Sequence, residues 1–416
     1  MRRLRFCMVT TFYPPYNFGG DGIGIQRFSQ ALARRGHEVT VLQDVDAYRL
    51  LHKGAEPVVA PATDGVEVVR LRSRAPLAST LLTQQLGHPV VQGAAIRRFL
   101  DERAFDVINF HNISLVGGPG VLAAGDAVKL YMAHEHWLVC PTHVLWRHQR
   151  EVCTGRECIR CQLTYQRPPQ LWRHTGLLER ELHHVDAFIA MSEFSRAKHR
   201  EFGFPREMEV VNYFLPGRAS AAPAGEDPHP RPYFLFVGRL ERIKGLDDVI
   251  PIFERYEGAD LLIAGDGEYA GELKRLAAGN PRVHFLGRID PAMLDRYYAH
   301  AQALIVPSVC FETFGIIIIE AFRQGTPVLA RHIGPFPEII ERGGGGMVFA
   351  GPPELEQAMR ELQADPSLRT RWAREARQAF SDHWSEDAII PRYLGVVERA
   401  ARARGRFEIA EALAPA

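Results

Sequence analysis

The sequence predicts an α/β protein built from two doubly wound parallel-sheet domains. Short apolar runs alternate with helical patterns along the whole chain, which is the mark of βαβ units. The alternation breaks once, over residues 216–232, where Ala, Pro and Gly crowd without periodicity as in an interdomain linker. The length, 416 residues, suits two domains.

In the first half, strands are expected near residues 4–10, 38–42, 66–71, 106–110, 128–132, 186–191 and 209–213, with helices over 23–35 and 90–102. The second series places strands near 233–237, 260–264, 283–286, 303–306, 327–330 and 346–349, and the tail from Ser385 is helical. Ligands of such sheets lie beyond the carboxyl ends of the strands. The expected domains are 1–215, carrying a cysteine-rich insertion at 134–165, and 216–384, with the helix 385–416 packing back on the first.

Composition excludes some functions. Fifty basic and 49 acidic residues give a formal charge of +1, so no global field favours nucleic acid. No apolar run approaches the ~20 residues of a membrane span. The start, MRRLRFCMVTTFYPP, is basic like a signal peptide, but its apolar run is short and no small-residue cleavage site follows. A cytoplasmic protein with reduced thiols is expected.

Residues 307–330, PSVCFETFGIIIIEAFRQGTPVLA, carry most of the functional information. Glu312, Thr313, Phe314 and Gly315 form an exposed junction ahead of an apolar helix from Ile316, which Gly325 closes. Glu312 lies before the helix and Glu320 more than a turn inside it, so the two acids bracket the free N–H groups of a helix N-terminus, an anion site. Gly315 lets a ligand approach the backbone. A nucleotide sugar would place sugar hydroxyls on Glu312, diphosphate on the helix start and ribose on Glu320. The competing interpretation makes the four isoleucines a buried strand, because β-branched residues are poor helix formers.

Four further stretches carry chemistry. FLFVGRLERIKG, residues 234–245, puts Arg239 and Lys244 on a turn after a strand, a planar fork and a point charge suited to a diphosphate. FGGDGIG, residues 18–24, opens a helix after a long loop, so it lacks the direct strand-to-glycine turn of a dinucleotide fingerprint, and a loop swinging Gly19 and Gly20 over phosphates is the alternative to a plain surface turn. FDVINFHN ends a strand on His111 and Asn112, where a histidine can meet a sugar hydroxyl or simply be structural, while Asn109 is expected to face the core. Cys140, Cys153, Cys158 and Cys161 follow a C-x12-C-x4-C-x2-C spacing that fits tetrahedral zinc, with free or disulfide-bonded thiols second and an iron–sulfur cluster third; His134, His136, His143 and His148 stand by as substitute ligands.

Together these stretches resemble family 4 of the retaining glycosyltransferases. The resemblance rests on Glu312, Glu320, Ala321, the Gly325-Thr326-Pro327-Val328 turn and Glu338, on Gly238-Arg239-Leu240 followed by Lys244-Gly245, and on the double glycine followed by Gly36-His37-Glu38-Val39. Met191 to Ser195, the glycine turn at Gly265 and HWS at residues 383–385 agree, and the cysteine insertion resembles a subset of the family. The resemblance implies a GT-B fold, a UDP- or GDP-sugar donor, a hydroxyl acceptor (sugar or lipid-linked, as in polysaccharide or glycolipid synthesis) and no cofactor for catalysis. It implies catalytic roles for Glu312, His111, Arg239 and Lys244. It implies donor contacts from Gly19, Gly20, Gly265, Arg288, Ile289, Phe314, Gly315, Ile316 and Glu320 besides. Retention would follow a front-face route, with the leaving phosphate taking the acceptor's proton. Arg97, Arg98, Arg196, Lys198 and Arg200 could meet an anionic membrane from the cytoplasmic side. The competing functions are an epimerase or phosphorylase of the same fold, although no pyridoxal phosphate lysine stands out, and a non-catalytic sugar-nucleotide or partner-binding module.

Overall fold

The computed structural model describes residues 2–52, 54–59, 65–217, 219 and 225–414. They form two compact units, Met1–Tyr213 with Ile389–Ala416, and Phe214–Ala388.

The first unit holds β1 (Arg5–Thr10), β2 (Glu38–Asp44), β3 (Val66–Leu71), β4 (Val107–Phe110), β5 (Val128–Ala133), a small hairpin of β6 (Trp146–Arg147) and β7 (Glu151–Val152), then β8 (Ala187–Ala190) and β9 (Met208–Val210). Seven of these make one parallel sheet in the order β3-β2-β1-β4-β5-β8-β9; β6 and β7 pair antiparallel on their own. Strand β1 sits centrally, with Val9 opposite Leu42 on one side and Phe110 on the other. It is almost wholly buried, which is why it appears as a continuous apolar run.

The second unit holds β10 (Tyr233–Val237), β11 (Asp260–Ala264), β12 (Val283–Gly287), β13 (Leu304–Val306), β14 (Val328–Arg331) and β15 (Gly346–Phe349), in the parallel order β12-β11-β10-β13-β14-β15. Both sheets are doubly wound. The chain starts mid-sheet, winds to one edge, then crosses to the other side of its first strand. The reversals fall between β1 and β4 and between β10 and β13, the switch points at which such sheets open a crevice.

The four isoleucines are helical, in Ile316–Gln324. Their β-branching costs at most ~0.7 kcal/mol each in a helix, whereas burying Ile318, Ile319 and Phe322 contributes about 1.5–3 kcal/mol each. Gly325 ends the helix in the left-handed conformation at φ 72°. One expectation is corrected. No α-helix follows β10; three short 3₁₀ turns, Arg242–Lys244, Leu246–Asp248 and Ile250–Glu254, take its place. Left-handed Gly245 and Pro251 divide this stretch before α-helical hydrogen bonding can propagate.

Part of the expected linker, residues 218 and 220–224, lies outside the described residues. On either side of it, Leu215 N–H donates to the Trp384 carbonyl at 3.1 Å, and the Glu226 carbonyl accepts from Arg296 at 2.7 Å. The tail forms Glu386–Ala403 and Phe407–Leu413. Its Tyr393 is buried and its hydroxyl accepts from the Asn109 amide at 3.1 Å, so Asn109 faces the core. Arg399 bridges Glu209, and Arg404 and Arg406 bridge Asp126.

Candidate functional site

The site in the second unit is assembled from the loops at the carboxyl ends of β10, β11 and β13. Leu240 N–H donates to the Asp266 carbonyl and Tyr269 N–H to the Leu240 carbonyl, both at 3.0 Å, which ties the loop after β10 to the loop after β11. A Cβ on Gly265 would lie 1.8 Å from the Gly238 carbonyl oxygen, so only glycine fits where these two turns touch. The loop after β13 is tied in turn. Val309 N–H donates to the Ile243 carbonyl at 2.9 Å, and left-handed Gly245 lies so close that a Cβ would come within 2.1 Å of the Pro307 oxygen. From the far side the Arg331 Nε donates to that same Pro307 oxygen at 3.0 Å while its guanidinium pairs with Asp248.

This scaffold brings Lys244 and Glu312 together. The Lys244 ammonium pairs with Glu312 Oε1, and the Ser308 hydroxyl donates to the same oxygen at 3.3 Å. Burial alone would lower the pKa of Lys244, but Glu312, helped by Cys310 and Glu241, more than offsets it and holds the ammonium above the ordinary lysine range. Burial, with Glu312 adding to it, pushes the Cys310 thiol up to about 12, so it is a neutral wall and no nucleophile.

Three residues after Glu312, Gly315 leads into the helix Ile316–Gln324. No side chain caps that helix and its first turn carries no acid. Apart from Ile318, whose N–H donates to the Gly315 carbonyl at 2.9 Å, its leading amides have no partner within the helix, and they present the positive end of its dipole. Glu320 accepts from the Tyr298 hydroxyl at 3.1 Å.

Other expected donor residues stand apart. Arg239 pairs with Glu241 at 2.6 Å and its side chain is 59% exposed. Arg288, 87% exposed, lies 4.0 Å from Asp266; with Ile289 it follows β12 at the sheet edge.

The matching corner of the first unit is built differently. The Thr11 amide donates to the Asn112 carbonyl at 2.6 Å, joining the ends of β1 and β4. The loop expected to swing is instead fastened: the Gln43 amide donates to the carbonyls of Tyr13 at 2.7 Å and Tyr16 at 3.1 Å, and buried Tyr16 packs edge-on against Tyr48. Gly19 caps the helix Gly20–Arg34, whose first turn carries Asp21. Asp21 accepts from the Asn112 amide at 3.3 Å, and burial followed by the Glu135 charge raises its pKa. That helix start therefore faces carboxylates of its own domain, which opposes a phosphate at Gly19 and Gly20. Asp21 and Glu135 were not singled out from the sequence. The Asp within FGGDGIG and the Glu within HEH were the available signals.

His111 follows β4 at the strand's carboxyl end, as expected. Its ring is buried, with Nδ1 2.8 Å from His134 Nε2 and Nε2 3.3 Å from the Met8 sulfur, while the other His134 nitrogen bonds the Tyr213 hydroxyl. Burial, followed by the charge of His134, holds His111 well below the ordinary histidine range, and burial holds His134 down to about 3. Both rings are neutral. If Tyr213 donates to His134, then His134 donates to His111, and His111 is left with a single N–H facing only a weak sulfur acceptor.

The four cysteines are free thiols lining one small cavity. The four histidines of that stretch are engaged elsewhere: His134 as above, His136 stacked on His199, His143 on Glu135 and His148 on Glu157. Among the described residues, His229, Asp260 and His284 also form a cluster of ligand atoms, but Arg231 holds the Asp260 carboxylate at 3.1 Å, as in a structural ion pair. Of the basic residues expected to meet a membrane, Arg98, Arg196 and Lys198 pair with Glu102, Glu193 and Glu201 of their own helices. No helix among the described residues is long and apolar enough to cross a membrane.

Residues 18–214 match a family model described as Glycosyltransferase Family 4, and residues 220–379 match one described as Glycosyl transferases group 1. A glycogen synthase of Mycobacterium tuberculosis is 27% identical over 93% of this chain and 92% of its own length. A phosphatidyl-myo-inositol mannosyltransferase of Mycobacterium leprae is 29% identical over 53% of this chain and 61% of its own. Among solved structures, a sucrose-phosphate synthase from Thermosynechococcus elongatus superposes with a TM-score of 0.72 at 18% identity, covering 98% of this chain and all of that one. Anabaena HepE in complex with UDP-glucose gives 0.63 at 17% identity, over 97% of this chain and 100% of that one. The fold is therefore the two-domain GT-B arrangement of Rossmann-like sheets.

Proposed function

We propose that this chain, a glycosyltransferase by both matched domains and by a relative along nearly its full length, moves a hexose from a UDP- or GDP-sugar to a hydroxyl acceptor with retention at the anomeric carbon. One observation carries the proposal: the Lys244–Glu312 pair at the second switch point, just ahead of an uncapped helix start. A donor exchanges partners in that pair. Its diphosphate takes Lys244 and the leading amides of Ile316–Gln324, which add about half a unit of positive charge. Glu312, released, takes hydroxyls of the transferred sugar. Arg239 turns from Glu241 toward the same phosphates, Glu320 meets the ribose, and the spare N–H of His111 leaves the Met8 sulfur for a sugar hydroxyl.

The chemistry then follows from charge placement. As the anomeric carbon–oxygen bond breaks, its electron pair goes to the diphosphate, where cations fixed beforehand stabilise it. The acceptor oxygen bonds the same face of the oxocarbenium-like carbon, and its proton passes to the departing phosphate oxygen. Glu312 positions the sugar and is not a nucleophile. This sets the reaction apart from retaining glycosidases, in which a carboxylate attacks. The UDP-glucose complex of a neighbour with this fold supports a uridine donor.

A thermal-shift screen of nucleotide sugars tests the proposal, followed by transfer to candidate acceptors with the product anomer read by NMR. Stabilisation by one donor and a product of unchanged configuration is expected. No stabilisation by any donor, or an inverted product, would overturn it.

A further inference from the structure

We propose that Cys140, Cys153, Cys158 and Cys161 bind a single zinc ion that holds the insertion of the first domain in shape. The four residues line one cavity of about 20 Å³. That is roughly the room a single water or ion needs, and too little for a cluster of several irons and sulfides. The chain delivers them by local geometry. Cys158 opens the helix Cys158–Thr164, and Cys161 follows one turn later on the same face. Cys153 follows β7, its amide donating to the Leu145 carbonyl at 2.7 Å, which folds it back toward Cys140.

Two further observations point to a ligand. The first is strain. Of the six non-glycine residues at positive φ among the described residues, four lie in this segment, His143 at 77°, Leu145 at 47°, His148 at 52° and Gln149 at 59°, and a fifth, Gln166 at 54°, directly follows it. Each costs on the order of 1 kcal/mol or more. Yet the segment's regular structure amounts to two strands of two residues and one helix of seven. Trp137 and Leu138 join the domain's core and Leu145 and Trp146 are buried, but little regular hydrogen bonding holds the backbone between them.

The second is the surroundings. The His148 amide points at the Cys161 sulfur at 3.4 Å, a donor that stabilises a thiolate. The buried Arg173 guanidinium, whose charge acts on Cys140 and Cys158, offsets the excess negative charge of four thiolates around a divalent ion. His134, His143 and His148 are bonded elsewhere, His136 is stacked on His199, and none of the four lines the cavity, which leaves sulfur as the donor set. Among the described residues no three of these sulfurs are mutually within 4.8 Å; Cys153 turns to the Gly155 carbonyl and Cys140 to the Thr142 hydroxyl. Rotation about χ1 brings them inward when those weak thiol contacts are exchanged for metal bonds of about 2.3 Å.

The consequence reaches beyond the loop. Pro141, Glu157 and Cys158 line both this cavity and a larger one of about 490 Å³ in the same domain, between the insertion and residues 202–205. The zinc therefore sets one wall of that larger hollow.

The test uses the full chain purified under reducing, chelator-free conditions. Elemental analysis is expected to give one zinc per chain. Titration in denaturant should find four thiols that become reactive only after chelation. Cobalt exchanged into the protein should show the intense near-ultraviolet and visible bands of a tetrahedral tetrathiolate, a readout that needs no variant. Cys158→Ser, if it folds, should lose most of the zinc. A protein free of zinc, one carrying iron with labile sulfide, or a cobalt spectrum without sulfur bands would overturn the proposal.

Discussion

The two domains share a strand order and a switch point, yet each fills that corner with opposite chemistry. In the second, a lysine is held against a glutamate, and the helix ahead of them starts without cap or acid. In the first, the corresponding helix supplies its own Asp21, bonded to Asn112 with Glu135 nearby, while His111, His134 and Tyr213 form a buried neutral chain. Topology provides two crevices. The charges at the helix starts decide that only the second suits a diphosphate, and that the first suits hydroxyls.

The strongest break in this comparison is Glu312→Ala. Losing the sugar's anchor is expected to lower turnover by about 100- to 1,000-fold, measured as steady-state transfer; turnover within a few-fold of the parent would remove Glu312 from the site.

Acid sharpens the contrast next. His134 is held down to about 3 and His199 to about 4 by burial, both in the first domain. A histidine whose folded pKa lies below its unfolded value leaves stability intact above about pH 6.5 and erodes it as pH falls toward the folded value, by ~1.4 kcal/mol per pH unit for each ring. Hydrogen exchange of the full chain at pH 7 and pH 5 should therefore show faster opening in β4, β5 and the helix Glu193–Glu201, with β10 to β14 changed less. Equal loosening of both sheets would contradict the assignment.

Lys244 and Arg239 come third, and they are not equivalent. Lys244→Ala removes a fixed, partly buried cation and should weaken donor binding about 10- to 100-fold. Arg239→Ala removes an exposed one already shared with Glu241 and should cost only a few-fold. Calorimetric donor titrations decide the order, and a larger loss for Arg239 would reverse the picture. The smallest effect belongs to Tyr393→Phe, which leaves the buried Asn109 amide without its hydroxyl partner and should destabilise the first domain by about 1–3 kcal/mol. An unchanged melting temperature would show that this bond contributes nothing.

What the sequence revealed follows the same division. Parallel strands buried on both faces appear as apolar runs, so residues 233–237 and 260–264 coincide with β10 and β11; the partly buried edge strands β3 and β15 also fall where expected, at 66–71 and 346–349. Lys244 and Glu312 stood out because each lies in a short loop after a strand, Lys244 on a turn closed by Gly245 and Glu312 ahead of a helix start, and such local patterns can be seen in sequence. The first domain's corner was harder, because its character depends on partners distant in sequence. Asn112 reaches Asp21 across 91 positions and Tyr213 reaches His134 across 79, and no local pattern encodes either bond. The helix Ile316–Gln324 was legible in part: Gly325 marked its end, while its β-branched residues left a buried strand as the competing interpretation until the core it covers decided the matter.

Affinity for a bare nucleoside diphosphate, compared between the parent chain and Glu312→Ala, tests the central claim most directly. If Glu312 occupies Lys244 until a donor arrives, the variant frees the ammonium and binds the diphosphate as tightly as the parent or several-fold tighter, although it transfers almost no sugar. Markedly weaker diphosphate binding in that variant would mean that Lys244 and Glu312 do not exchange partners in this way.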